Sequence, residues 1–433
     1  MFNISLLLSA AVIIICVLAN KLSNKIGMPV LIAFIALGMV FGSDGILKIP
    51  FENYSFAEQI CSVALVFIMF YGGFGTKLSE AKPVAVKALL LSSVGVIFTA
   101  ALTTVFCFFV LKIKLLESML IGAVMSSTDA ASVFSVLRSK NLNLKYNTAS
   151  MLEMESGSND PFAYMLTVIV LSFMKGENSV GQMVYSIAAQ IGFGVLIGFL
   201  IALGAVWFMK HFTFNTSGFD AAFVLGVAVL AYALPTLVGG NGYLSAYIVG
   251  IVLGNQNIHN KKSLVHFFDG MTGLMQMLIF FLLGLLSFPS KILTVLLPSI
   301  FIALFITFVA RPLAVATVLA PFKTKISQYL VVSWAGLRGA ASIVFAIMAM
   351  VGGVTMEQDV FHIAFCVVLF SITLQGSLLP FVASKTNMID KTGSVLKTFN
   401  DYSDETEINF IRLNIDSGNR WIDRAVKDIS LPP

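Results

Sequence analysis

Residues 153–161 read EMESGSNDP and lie inside an apolar segment that extends from Thr148 to Met174. Charged side chains are costly in the hydrocarbon core of a bilayer, so ionisable residues inside a membrane span indicate a functional site. On an α-helix, Glu153, Ser156 and Asp160 are spaced i, i+3 and i+7 and share one face. Carboxylate and hydroxyl oxygens are hard ligands that suit a small cation. The stretch therefore predicts a cation-binding face on a membrane helix.

The composition of the whole chain supports a membrane location. Of its 433 residues, 58% are hydrophobic and only 11% are charged, whereas a soluble protein carries about 25% charged residues. The net charge of +5 comes from lysines in short loops and includes no basic run that would indicate nucleic-acid binding. The composition predicts an integral membrane protein whose surroundings are lipid, with no nucleic-acid partner.

We predict an all-α polytopic fold, with about thirteen membrane spans in residues 1–390 and a cytoplasmic tail at 391–433. Each span is an apolar stretch of the length that crosses a bilayer as a helix, although the second and ninth are short. The predicted spans are Ile4–Asn20, Pro29–Phe41, Gln59–Phe74, Pro83–Leu111, Met119–Leu137, Thr148–Met174, Val184–Phe208, Ala221–Val238, Tyr243–Leu253, Met271–Phe288, Ile292–Leu319, Ser327–Met350 and Val360–Val382.

The distribution of lysine and arginine between the loops predicts the orientation. Cytoplasmic loops carry more of these residues than external loops do. One set of alternate loops and the tail are rich in them, which places the N-terminus outside and the C-terminus in the cytoplasm. The members of the rich set include Lys21, Lys25, Lys77, Lys82, Lys87, Arg138, Lys140, Lys145, Lys210, Lys261, Lys262, Lys323, Lys325, Lys385, Lys391 and Lys397.

The two halves of the chain resemble each other. Gly38 and Gly42 recur as Gly250 and Gly254, Phe70-Tyr71-Gly72 recurs as Leu282-Leu283-Gly284, and Ala130-Ala131-Ser132-Val133 recurs as Ala340-Ala341-Ser342-Ile343. The offset is about 210 residues each time, which is seven spans, so the second copy is inverted in the membrane. Inverted repeats are typical of secondary transporters, whose sites lie near the midplane at broken helices.

Polar residues also interrupt the fifth and twelfth spans, at Ser126-Ser127-Thr128-Asp129 and at Gly336-Leu337-Arg338-Gly339. The repeat places Asp129 opposite Gly339 and Thr128 opposite Arg338. If both helices break there, Asp129 compensates the positive helix N-termini and Arg338 compensates the negative C-termini. We therefore assign Asp129 a structural role rather than that of an ion carrier.

The remaining charged residues have more than one interpretation. Glu153 is either a cation ligand or a helix-end residue at the water interface. Glu155 fits an ion pair between helices better than direct ion binding, and Asp160, deep in its span, is the predicted ion-binding carboxylate. Arg311 is either a residue that reaches the interface or a partner in a buried ion pair. Gly157 and Pro161 are expected to loosen the backbone so that carbonyl oxygens join the site.

These motifs together resemble the monovalent cation–proton antiporter family, NhaP branch. The resemblance covers nearly all of the membrane part and rests on Ser127-Thr128-Asp129, on Glu155-Ser156 with Asn159-Asp160, and on Gly336-Leu337-Arg338-Gly339. It implies thirteen helices in two inverted six-helix repeats joined by the seventh, with crossed, broken fifth and twelfth helices. It also implies a homodimer with elevator-like movement, a dimerisation part at about 1–80 and 184–288, and a transport core at about 83–174 and 292–385.

The resemblance also implies roles for individual residues. Asp160 binds the cation or the proton, and Asn159 is its partner in the Asn-Asp pair associated with electroneutral exchange. Ser156 and Thr128 offer further ligands to the monovalent cation, Asp129 steadies the helix crossing, and Glu155 pairs with Arg338. Some relatives place another acid in the third span, but Val63–Phe74 contains none, so no additional ligand is expected from that helix.

The tail, from Ile411 to Pro433, resembles the opening of a TrkA-C-type regulatory domain, as in potassium/proton members of the family. It stops too early to form that domain, so the chain is expected to be truncated there, and the ligand of the missing part is unknown.

The predicted function is one-for-one, electroneutral exchange of K⁺ or Na⁺ for H⁺ across the inner membrane of a prokaryote, in the service of pH homeostasis and without a cofactor. One alternative is a carrier of another solute, such as an organic anion, on a similar inverted-repeat fold. Another is an intramembrane aspartyl protease that uses Asp129 and Asp160. The chain lacks both the Gly-x-Gly-Asp motif of such a protease and a Gly-x-Ser-x-Gly serine elbow, so we expect no enzyme activity.

Overall fold

The computed structural model of the chain describes residues 7, 10–19, 30–140, 142–176, 179–212 and 218–390. Besides the single turn Leu78–Ala81, the described residues form fifteen helices and two short strands. The helices are α1 (Ala10–Ala19), α2 (Val30–Phe41), α3 (Tyr54–Gly75), α4 (Ala85–Phe109), α5 (Leu115–Val124), α6 (Ala130–Ser139), α7 (Thr148–Met174), α8 (Val180–His211), α9 (Phe219–Leu237), α10 (Gly242–Gly254), α11 (Lys261–Leu286), α12 (Pro289–Phe322), α13 (Ile326–Trp334), α14 (Ala340–Val351) and α15 (Val360–Lys385).

Most of the described helices have the apolar composition of membrane spans. By length and composition, seven of the described helices can cross a bilayer, namely α3, α4, α8, α9, α11, α12 and α15. Five more are apolar but shorter: α1, α2, α5, α10 and α14. The predicted all-helical, multi-span membrane fold is confirmed, and the short second and ninth spans correspond to α2 and α10. The total of thirteen passes and their orientation stay predictions.

Two of the predicted spans are each divided into a pair of short helices. The fifth becomes α5 and α6, separated by residues 125–129, and the twelfth becomes α13 and α14, separated by residues 335–339. The family resemblance implied both breaks, and polar residues lie at mid-span in both places. The sixth predicted span instead forms the unbroken helix α7, which continues through Pro161. The helix does not unwind near Gly157 and Pro161, but Pro161 has no N–H to donate to Gly157 O, so the expected part of backbone carbonyls in the site stays a prediction.

Three of the described helices contain a wider π-helical turn that the sequence did not indicate. The turns are Leu91–Gly95 in α4, Ile306–Ala310 in α12 and Ser371–Gly376 in α15. The first two stand about 215 residues apart, close to the offset of the sequence repeat. Turns of this type occur mostly as single insertions and are frequent at functional sites.

The repeated glycines bring helix backbones into close contact within the chain. A Cβ atom at Gly38 of α2 would collide with the backbone of α11 at Phe281, and one at Gly250 of α10 would collide with the backbone of α3 at Phe70. These two contacts occupy matching places in the two halves. The glycine faces are thus covered by helix packing within the chain.

A two-residue ladder joins the loop before α7 to the segment after α15. Strand β1 (Asn143–Leu144) pairs antiparallel with β2 (Ile389–Asp390). A buried apolar cluster lies beside it and joins α6, the start of α7, α12, α13 and α15. The predicted tail at 391–433 lies outside the described residues.

Candidate functional site

The breaks between α5 and α6 and between α13 and α14 are hydrogen-bonded to each other. The backbone N–H of Asp129 donates to Leu337 O at 2.8 Å. Arg338 Nη1 donates to Ser126 O at 3.0 Å and to Ser127 O at 2.6 Å. These carbonyls follow the C-terminus of α5, where backbone acceptors lack partners within the helix. The guanidinium of Arg338, 1% exposed, thus supplies positive charge to a negative helix end, as predicted from the sequence.

The carboxylate of Asp129 lies at the N-termini of two helices. Its Oδ1 accepts from Ala131 N at 2.9 Å and its Oδ2 accepts from Ser132 Oγ at 2.6 Å, which caps α6. A Cβ atom added to Gly339, the residue before α14, would overlap this carboxylate. Glycine is therefore required where the second helix start meets Asp129. The negative charge lies where two helix N-termini favour it.

Asp160 of α7 points to the break after α5. Its Oδ1 accepts a hydrogen bond from the hydroxyl of Ser127. Next to it, Asn159 Nδ2 donates to Thr128 Oγ1, while Asn159 Oδ1 is buried and has no hydrogen-bond partner among the described residues. The Asn-Asp pair therefore contacts two successive residues of the unwound segment and leaves one acceptor oxygen unused. Ser127 belongs to the sequence motif, but its contact with Asp160 was not predicted from the sequence.

Ser156 attaches α7 to the same break. Its hydroxyl donates to Thr128 O at 2.8 Å and accepts from Ala130 N at 2.8 Å. A hydroxyl has one proton and two lone pairs, so one lone pair of Ser156 remains for a further partner. The predicted set of Asp160, Asn159, Ser156 and Thr128 is thus brought together around residues 127–130.

Glu155 forms a buried ion pair with Arg311. Arg311 Nη1 lies 2.6 Å from Glu155 Oε1, and the two side chains are 3% and 1% exposed. The predicted pair of Glu155 with Arg338 was wrong, because the guanidinium of Arg338 is turned to the α5 carbonyls instead. Arg311, which the sequence left open, is a partner in a buried ion pair rather than an interface residue.

A cavity of about 640 Å³ extends from Asp160 along the first half of α7. Glu153 and Ser156 line it together with Asp160, so the three residues share one face as the spacing predicted. Asp129 and Asp269 also line it, and Asp269 Oδ1 accepts from Tyr71 Oη at 3.1 Å. No basic side chain belongs to the lining that the structure describes, so the cavity favours cations.

Asp269 was missed by sequence reasoning. It lies two residues before the start of the predicted tenth span, where an acid is unremarkable at a water interface. The structure places it within α11 and on the same cavity as Asp160. If the predicted tenth helix had been extended back to Lys261, Asp269 would have fallen in its third turn and would have been recognised as an acid within a helix.

Comparison with known proteins assigns the chain to a family. Residues 8–385 match the family model described as sodium/hydrogen exchanger, transmembrane. The chain is 35% identical over 442 residues to the K(+)/H(+) antiporter NhaP2 of Shewanella sp. (strain MR-4), and the alignment covers 99% of this chain and 75% of that protein. It is 34% identical over 378 residues to the K(+)/H(+) antiporter NhaP of Alkalimonas amylolytica, covering 86% of this chain and 65% of that protein.

The fold is also similar to that of a solved structure. The sodium proton antiporter MjNhaP1 of Methanocaldococcus jannaschii at pH 8 superimposes with a TM-score of 0.77 and 22% identity, covering 87% of this chain and 100% of that chain. At this identity the likeness concerns the fold alone. From the family model and the relatives that match over most of its length, the chain belongs to the sodium/hydrogen exchanger family and is a multi-pass membrane cation/proton antiporter, not an enzyme.

Proposed function

We propose that the chain exchanges K⁺ or Na⁺ for H⁺ one for one, and that Asp160 binds the cation and the proton in turn. The observation that carries this proposal is the acidic cavity that ends at Asp160, beside two helix breaks. A carboxylate in such a place is neutral when it holds either a proton or a monovalent cation. Movement through the membrane is favourable only for the neutral forms, because an uncompensated charge is costly there.

The oxygen atoms around Asp160 fit a monovalent cation. The unused Oδ1 of Asn159 and the remaining lone pair of Ser156 lie on the same helix as the Asp160 carboxylate. Thr128 Oγ1, which receives a hydrogen bond from Asn159, adds a hydroxyl from the break. We assign these four residues as the ion site.

The one-for-one ratio follows from the carboxylates that remain free to exchange a proton. Asp129 is engaged by the N-terminus of α6, and Glu155 is paired with Arg311. Asn159 contributes no acid. Of the acids at the helix breaks, Asp160 is then the one left to exchange a proton. Glu153 and Asp269 also line the cavity; the proposal gives them no part in proton exchange, so each cycle moves one positive charge in each direction.

The names of the relatives support K⁺ as the cation. Those of 34–36% identity are named K(+)/H(+) antiporters, whereas the structural relative is named a sodium proton antiporter. We propose K⁺ as the physiological cation and Na⁺ as a competing one.

We propose a topology of thirteen membrane passes, with the N-terminus outside and the C-terminus in the cytoplasm. Counting each broken pair as one pass gives this number from the fifteen helices. The matching glycine contacts of α2 with α11 and of α10 with α3 support two inverted repeats. In this orientation the cavity reaches the cytoplasmic side, since its lining comes from the helix halves that end at lysine-rich loops. A homodimer in which the core, at about 83–174 and 292–385, moves past the scaffold, at about 1–80 and 184–288, completes the proposal.

The test is exchange by purified protein in vesicles that contain a proton-sensitive dye. Addition of KCl or NaCl should move protons out of acid-loaded vesicles, whereas choline chloride should not. Asp160→Asn should abolish exchange and remain folded, because asparagine has a similar volume but no charge to titrate. Asp220→Asn is the matched control, since Asp220 is also buried, at 7% exposed, and binds Asn260 instead of the cavity. Exchange by Asp160→Asn at the wild-type rate would refute the assignment.

The organic-anion alternative is tested in the same vesicles. A cavity lined by Asp129, Glu153, Asp160 and Asp269 repels anions, so succinate or lactate should not compete with cation exchange.

A further inference from the structure

The π-helical turn of α15 is joined to the C-terminus of α13 by reciprocal hydrogen bonds. Trp334 is the last residue of α13, and its indole Nε1 donates to Gln375 O at 3.0 Å. Gln375 Nε2 donates in return to Trp334 O at 3.4 Å. Trp334 O is one of the carbonyls that a helix end leaves without an intrahelical partner. Gln375 therefore holds one side of the break between α13 and α14.

The same turn holds the other side of the break. Ser371 Oγ accepts from Arg338 N at 3.0 Å and donates to Gln375 Oε1. Ser371 is 2% exposed and Gln375 is 3% exposed, so water does not replace these bonds readily. One turn of α15 thus binds Trp334, just before the unwound segment 335–339, and Arg338 near the other end of that segment.

From that segment the bonds continue to the ion site. The side chain of Arg338 donates to Ser126 O and Ser127 O, and the hydroxyl of Ser127 donates to Asp160. The position of the Ser127 hydroxyl therefore depends on where Arg338 is held. Arg338 in turn depends on Ser371 and Gln375.

We propose that Gln375 and Ser371 are positioning residues for ion exchange, which set the apparent affinity for the cation by fixing Arg338 and, through it, the Ser127 hydroxyl at Asp160. This inference rests on the proposed function of Asp160. Residues that orient the ligands of an ion typically change its affinity by about 10-fold or more when they are removed. A ligand site also has to be held within about 0.5 Å to keep its geometry.

The test compares two buried glutamines: Gln375, which bonds to the end of α13, and Gln328, which lies on α13. Gln375→Met removes the side-chain bonds to Trp334 O and from Ser371 Oγ at nearly constant volume, and leaves the bond from the indole of Trp334 to the Gln375 backbone carbonyl in place. Gln328→Met is the matched control. Gln328 lies on α13 and is 5% exposed, and its Nε2 donates to Thr148 Oγ1 at 3.0 Å and to Tyr146 O at 3.3 Å, away from the break.

We expect Gln375→Met to raise the apparent KM for K⁺ or Na⁺ about 10-fold while the maximal rate changes little. Gln328→Met should lower thermal stability comparably and leave KM unchanged. Ser371→Ala should reproduce the KM effect, and Ser371→Thr, which keeps the hydroxyl, should restore the wild-type KM. The effect of the double variant Gln375→Met/Ser371→Ala on KM should be smaller than the two single effects combined, since both changes remove the bond between Ser371 Oγ and Gln375 Oε1.

The proposal is overturned if Gln375→Met and Ser371→Ala keep the wild-type KM, or if Gln328→Met raises KM equally. Should Gln375→Met fail to fold, the comparison of Ser371→Ala with Ser371→Thr decides. Asp160→Asn is measured in parallel. If it is inactive while the Gln375 and Ser371 variants have normal KM, only the positioning role fails. If Asp160→Asn exchanges ions normally, the proposed function fails as well.

Discussion

Removal of Arg311 should destabilise the protein through the charge that it leaves behind on Glu155. The change Arg311→Met keeps most of the side-chain length and removes the charge. The paired atoms are 2.6 Å apart, which at an effective dielectric constant of about 20 gives an attraction of about 6 kcal/mol. Desolvation of both groups offsets much of this. The loss of one partner of a buried pair is nevertheless expected to cost about 3–5 kcal/mol, because the other charge stays buried alone.

The assay is the free energy of unfolding in mixed micelles, measured by titration with sodium dodecyl sulfate. Arg311→Met and Glu155→Gln should each lower it by about 3–5 kcal/mol. The double variant should lose much less than the sum of the two single losses, because neither buried charge then remains without a partner. Neighbouring groups that interact directly show coupling of about 0.5–3 kcal/mol in such cycles.

A second cycle, with Glu155→Gln and Arg338→Met, is the control. Arg338 donates to the carbonyls of Ser126 and Ser127 instead of pairing with Glu155. The coupling energy between Glu155 and Arg338 should therefore be smaller than that between Glu155 and Arg311. Additive losses for Glu155 and Arg311, or larger coupling between Glu155 and Arg338, would refute the pairing.

Three further predictions concern transport, packing and topology. The apparent KM for the cation should rise as pH falls while the maximal rate changes much less, because proton and cation compete for Asp160. Vesicle assays at several pH values test this, and a fall in maximal rate at constant KM would contradict the competition. Gly73→Ala should reduce the amount of folded protein in the membrane, because its Cβ would collide with the backbone at Tyr247. Gly72→Ala should be tolerated, because a Cβ at Gly72 meets no atom within 4 Å. Equal yields of the two variants would argue against the tight α3–α10 contact. With the native cysteines replaced, a membrane-impermeant thiol reagent added outside should label Glu357→Cys and not Lys261→Cys, and the reverse pattern would invert the proposed topology.

Much of the ion site follows from local signals in the sequence. The bounds of α7 were predicted from one apolar stretch, and the breaks before Ala130 and Ala340, which the family resemblance implied, coincide with small and polar residues at mid-span. The spacing of Glu153, Ser156 and Asp160 fixed a common face, since a single helix determines it. Such features depend only on residues close together in the chain, so they can be predicted without knowledge of the packing.

The sequence by itself determined an all-helical membrane protein and a carboxylate at Asp160 deep in an apolar span, because hydropathy, helical period and buried charge are local properties; the two broken spans were implied by the family resemblance. Only the tertiary structure decided that Glu155 meets Arg311 and that Asp269 joins the cavity. It also placed the π-helical turn of α15 against the second break. These outcomes depend on how each helix is rotated and shifted against its neighbours. Residues far apart in the chain meet only when side-chain packing fixes that rotation, and no single span contains the information.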